Sequence, residues 1–150
     1  DVSQSVVVDL EDDTGGCHLT WDDQPADQCT DETETSTAYS AAAVGGDTRD
    51  VGIRLRNRGE TVAPVAVVVS GTVPDGAAWG TDVVVSLYGD YDPVDEECLG
   101  ESLGTYASSG DSLSVGDVDP EGERWVCIKH TWHIAAEPGD YSFSAIVEPA

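Results

Sequence analysis

The stretch Val51-Gly52-Ile53-Arg54-Leu55-Arg56, then Asn57-Arg58-Gly59-Glu60, then the Val-rich run from Thr61 to Val73, decides the fold. Val51, Ile53 and Leu55 alternate with Gly52, Arg54 and Arg56, the period-2 pattern of a half-buried strand. Asn57 to Glu60 supplies turn residues, and the run that follows is β-branched and too short to span a bilayer. Pro64 has no N–H to give a ladder, so that part belongs at a sheet edge or a strand start. The two halves are expected to form the central hairpin of an antiparallel sandwich.

Working outward, turn signals recur between short apolar runs, and no stretch has the 3.6-residue period of a helix. Strands are expected at Val2–Leu10, Cys17–Trp21, Val83–Tyr88 and Arg124–Ile134. The last strand, Tyr141 to Val147, should turn Tyr141, Phe143, Ala145 and Val147 inward. Leu103–Tyr106 and Ser112–Val118 should pair as a short hairpin, and the Ala-rich segment Ala38–Val44 fits a strand or a helical turn. Asp22–Thr37 and Asp90–Gly100 have no apolar period and are expected to be acidic surface loops. The fold class is all-β, an immunoglobulin-like or jelly-roll-like sandwich, with residues 1–12 an N-terminal strand and residues 13–150 one domain.

At 150 residues the chain has room for one core. Thirty acidic against six basic residues give a net charge of −24, which repels nucleic acid and anionic lipid. Self-repulsion of that size is relieved in salt, where at about 1 M the screening length shrinks to about 3 Å. The acidity therefore reads first as adaptation to a saline solvent. The chain has no Met and opens on Asp1, which fits a secreted form after loss of a leader. Four Cys are expected to form two disulfides, and of three connectivities Cys17–Cys29 with Cys98–Cys127 is preferred, each tying an acidic loop to a strand.

Little in the sequence carries chemistry. There is no nucleophile elbow, no His-Glu-x-x-His and no phosphate-binding Gly loop, so no enzyme is expected. His130 reads as a satisfied sheet residue. For a cation, Asp90, Asp92, Asp95 and Glu96 gather hard oxygen donors of the kind Ca²⁺ takes, as do Asp117, Asp119, Glu121 and Glu123. In a chain this acidic such runs are solvated loops by default. Four of the six cations, Arg49, Arg54, Arg56 and Arg58, fall within ten positions. Arg54, Arg56 and Arg58 are expected either to pair with local acids or to form a subunit contact, since Arg grips carboxylates bidentately.

The strand at the N-terminus, the polar stretch Asp31 to Thr37, the segment Val51 to Glu60 and the closing region Trp132 to Val147 together resemble the camelysin/TasA-type fibre proteins and the related archaeal bundling pilins. The acidic composition is similar to that of haloarchaeal surface proteins. This resemblance implies assembly by donor-strand complementation, in which Val2, Val6, Val8 and Leu10 of one subunit complete the sheet of the next, beside strands ending in Val69, Val85 or Val147. The partner would be the chain itself, as a head-to-tail polymer serving adhesion or biofilm cohesion. The alternative from the residues is a monomeric cell-surface module that binds Ca²⁺ or glycan.

Overall fold

The computed structural model describes residues 5–10, 13–20, 36–43, 45–57 and 62–150. Ten strands form two antiparallel sheets: β1 (Ser5–Leu10), β2 (Asp13–Thr20), β3 (Ser36–Ala43), β4 (Thr48–Asn57), β5 (Ala63–Thr72), β6 (Val83–Asp92), β7 (Glu97–Thr105), β8 (Asp111–Val118), β9 (Glu123–Trp132) and β10 (Gly139–Pro149). One sheet has the order β2-β1-β4-β9-β6-β7, the other β3-β10-β5-β8. The described residues contain no helix, and the all-β sandwich expected from the sequence is what forms.

Alternation decides which residues meet between the sheets. Val51, Ile53 and Leu55 of β4, Val126 and Ile128 of β9, and Val83, Val85 and Leu87 of β6 face Val65, Val67 and Val69 of β5 and Tyr141, Phe143, Ala145 and Val147 of β10. All are 3 % exposed or less. Each fully buried aliphatic side chain contributes about 1.5–3 kcal/mol by leaving water. The inward row predicted for β10 is the observed one.

The expected central hairpin is not formed. β4 lies in the six-stranded sheet and β5 in the four-stranded sheet, so the chain crosses the sandwich between them. Both strands carry a complete apolar row, and one row covers the other only when the strands oppose across the core. A hairpin would have set the rows side by side on one sheet. The same correction applies to Leu103–Tyr106 and Ser112–Val118: β7 and β8 belong to different sheets and do not pair. The Ala-rich segment is a strand, its full length laddered to β10 from Ser36↔Ile146 to Ala43↔Gly139. Asp90–Gly100 is not a loop but the tip of the β6–β7 hairpin, with Asp90↔Leu99, Tyr91↔Cys98 and Asp92↔Glu97 in register. The ladder overrides the polarity of those residues. Ile134, expected in the β9 row, lies beyond the strand end and is 77 % exposed.

A few polar contacts close the ends of the core. Tyr106 Oη donates to Val67 O (2.8 Å), and the Trp79 indole donates to Tyr106 O (2.8 Å). Arg124 donates to Val115 O of β8 (2.8 Å) and to Gly89 O of β6 (3.0 Å), joining the two sheets at one end. At the other end Trp132, Tyr141, Phe143 and Trp79 meet edge to face, and His130 stacks on Trp132 and lies tilted against Phe143.

Candidate functional site

The segment expected to act as a donor is β1, and in this molecule it is an interior rung. It pairs with β4 from Val6↔Asn57 to Leu10↔Ile53, and with β2 from Ser5↔Thr20 to Leu10↔Asp13. Val6, Val8 and Leu10 thus belong to the rung next to β4 rather than beside the strands ending in Val69, Val85 or Val147. Val2 lies outside the described residues. The arginine row sits on the same ladder: Arg54 is opposite Asp9 on one side and Trp125 on the other, and Arg56 is opposite Val7 and Glu123. Register therefore sets an acid of this chain across from each of the two arginines. Arg58 lies outside the described residues.

The outer face of the six-stranded sheet carries the densest group of interactions. Register shifts near Tyr88 bend the β6–β7 hairpin, and its tip folds back over that face. A Cβ on Gly52 would land in the Tyr91 ring, so the missing side chain makes the seat for that ring. Tyr91, 2 % exposed, packs against Trp125 with ring centroids 5.2 Å apart. Cys98 is disulfide-bonded to Cys127 of β9, with Cα atoms 5.3 Å apart, one of the two pairings preferred from the sequence. Asp50 of β4 accepts from Cys98 N (2.8 Å) and pairs with Lys129 Nζ at 3.2 Å. Asp50 stands near both cysteine sulfurs, but sulfurs bonded to each other are not thiolate ligands. For the second disulfide, Cys17 is in β2 and Cys29 lies outside the described residues.

At the exposed end of that tip, Asp92, Asp95 and Glu97 bring carboxylate oxygens within 4.8 Å of one another. Asp92 Oδ1 also accepts from Val94 N (2.9 Å) and Asp95 N (3.3 Å), which holds it inside the turn. Of the four residues expected together, Asp92 and Asp95 meet, while Asp90 Oδ1 accepts from Tyr91 N (2.8 Å). Glu96, at φ 58°, falls at the left-handed position of the turn, and Glu97 takes its place in the group. Three hard oxygen ligands are half of what Ca²⁺ coordinates, the remainder being water or backbone. Asp117, Asp119, Glu121 and Glu123 are all exposed and form no such group among the described residues.

His130 is the buried polar side chain of the core, 0 % exposed. Nδ1 lies 3.0 Å from Arg49 O, and since a carbonyl only accepts, Nδ1 carries the proton. Burial pushes the imidazole down to about 4, the Arg49 carbonyl pulling weakly the other way. The ring is therefore neutral at ordinary pH and faces core aromatics rather than solvent.

Sequence reading missed Asp50 and the Gly52–Tyr91 contact. The signal for the second was present, a Gly in the outward row of an otherwise regular strand, which marks a close approach by another group.

No family model and no curated protein matches the chain. Among solved structures, a similar chain is described under "AvmM Catalyzes Macrocyclization in Alchivemycin A Biosynthesis": 10 % identity, TM-score 0.39, covering 77 % of this chain and 74 % of that one. An overlap this loose carries neither an activity nor a substrate across.

Proposed function

We propose that the chain is a secreted, non-enzymatic structural subunit that works in concentrated salt and assembles head to tail through its N-terminal strand. The observation that supports this is the position of β1. β1 is an interior rung, with β4 on one side and its hairpin partner β2 on the other. Such a rung is exchangeable, since the same ladder forms whether β1 comes from the same molecule or from a neighbour. Exchange in one direction does not close on itself and gives a filament. The net charge of −24 suits such a filament to a saline exterior, and cell adhesion or biofilm cohesion is the role proposed for it.

The test uses the Asp9↔Arg54 register. Chains carrying Asp9→Cys alone are mixed with chains carrying Arg54→Cys alone under assembly conditions in high salt, then oxidised. Exchange gives a covalent heterodimer of the two variants, and the double variant gives a ladder of covalent multimers by gel electrophoresis. A double variant that cross-links only within one chain, with no heterodimer from the mixture, overturns the proposal.

The pairing of β1 within its own molecule favours a second reading, a monomeric cell-surface module with Asp92, Asp95 and Glu97 holding Ca²⁺. That reading expects intrachain cross-links and a melting temperature that falls on chelation and recovers with added calcium.

A further inference from the structure

The four sheet edges differ in how they resist pairing. β7 carries Glu97 and Glu101, left-handed Gly100 and a broken register with β6. β8 carries Asp111 and Asp117 with left-handed Gly116, and its register with β5 shifts at Val65/Ala66. β2 carries Asp13, Gly15 and Gly16, and its register with β1 shifts between Val8 and Leu10. Charge, glycine and irregularity are the usual guards against edge-to-edge association. β3, Ser36-Thr37-Ala38-Tyr39-Ser40-Ala41-Ala42-Ala43, has none of them: no charge, no Gly, no Pro, and eight successive pairs with β10 without a shift. Among the described residues nothing pairs with its other side.

From this contrast we infer that the outer edge of β3 is an interface on which a second copy of the chain adds its own β3, antiparallel, across a two-fold axis. A strand of this length turns about four N–H and four C=O groups outward, and an identical strand run antiparallel satisfies them. The occupant follows from charge. Any partner copy also carries a charge of −24. Contact through β7 or β8 would crowd two carboxylates from each copy along one joint, and β2 is broken by Gly15 and Gly16, whereas β3 opposes Ser, Thr, Ala and Tyr to themselves. The neutral zone continues inward. The outward positions opposite its middle are Ser142 and Ser144 of β10, then Ser70 and Thr72 of β5, with Asp140 opposite Ala42 near one end, which an antiparallel joint sets far along the strand from its counterpart. With strands about 4.8 Å apart, the carboxylates of β8 lie about 14 Å from the joint. That is beyond the screening length in molar salt.

Sedimentation of the whole chain in molar salt tests the interface, with β1 locked to β4 of its own molecule by an intrachain Asp9→Cys/Arg54→Cys disulfide so that exchange cannot contribute, and with Ala38→Lys and Ser40→Lys placed on the edge and Ser102→Lys on the guarded β7 edge as control. The otherwise wild-type chain and the control are expected to show a concentration-dependent dimer. Both β3 variants should be monomers at concentrations at least tenfold higher, with unchanged near-ultraviolet dichroism and melting temperature. An otherwise wild-type chain that stays monomeric at millimolar concentration overturns the inference. So does a dimer that survives both β3 lysines, which puts the contact elsewhere. Exchange of β1 does not involve this edge, so the Asp9–Arg54 heterodimer cross-link should persist in the β3 variants and the two contacts fail separately.

Discussion

The outer faces of the two sheets are built on opposite plans. On the six-stranded sheet the outward row holds Asp50, Arg54, Trp125, Cys127 and Lys129, and a hairpin tip is folded over it and locked by Cys98–Cys127. On the four-stranded sheet the outward row is Val68, Ser70 and Thr72 of β5 and Ser142, Ser144 and Ile146 of β10. Nothing among the described residues folds over it. A shallow groove of about 470 Å³ lies beside Ser109, whose Oγ accepts from Gly71 N (2.8 Å). In a chain with thirty acids, the middle of that face, from Ser142 to Ile146 and from Val68 to Thr72, holds none, its carboxylates standing at the margins, Asp140 opposite Ala42 and Asp117 opposite Pro64. The first face is stabilised from within the chain. The second is neutral at its centre, next to an unguarded edge.

The comparison breaks first at the disulfide. Replacing Cys98 and Cys127 by Ala should cost about 2–4 kcal/mol, because the 29-residue connection regains its freedom in the unfolded chain. Denaturant melts of the variant against the oxidised wild type measure it, and little change would mean that the tip is held by packing alone.

The interior shared by both faces is sharpened by pH. The His130 imidazole is held at about 4 against an ordinary value of 6.5, so protons bind the unfolded chain first as pH falls. Its contribution is intact above pH 6.5, is lost progressively down to about 4, and is constant below. The loss is about 1.4 kcal/mol per unit, or about 3 in all. His130→Leu should remove that slope while keeping the titration of the carboxylates, so the difference between the two stability–pH curves isolates it.

Gly52→Ala should cost about 1–3 kcal/mol by pushing the Tyr91 ring off the sheet. Combined with the cysteine replacements, its cost should be less than additive, since both loosen the same tip. The smallest effect belongs to the bare face: Ser144→Lys is expected to change the monomer's stability by less than about 0.5 kcal/mol. A large loss there would show that this face is not open.

The sequence by itself determined the class of the fold and the inward rows of β4 and β10, which follow from a local period. Four cysteines leave three connectivities, so Cys98–Cys127 was one preferred pairing until the β6–β7 tip was brought beside β9. Which strands became neighbours was decided only in three dimensions. Val51–Leu55 and Val65–Val69 look like hairpin partners in the linear chain, but two apolar rows bury each other best face to face, and that places them in opposite sheets. The same reason hid Asp50 and Tyr91, which meet their partners across 48 and 39 positions, as Cys98 and Gly52. Alternation tells a residue which way to point; only packing tells it what lies there.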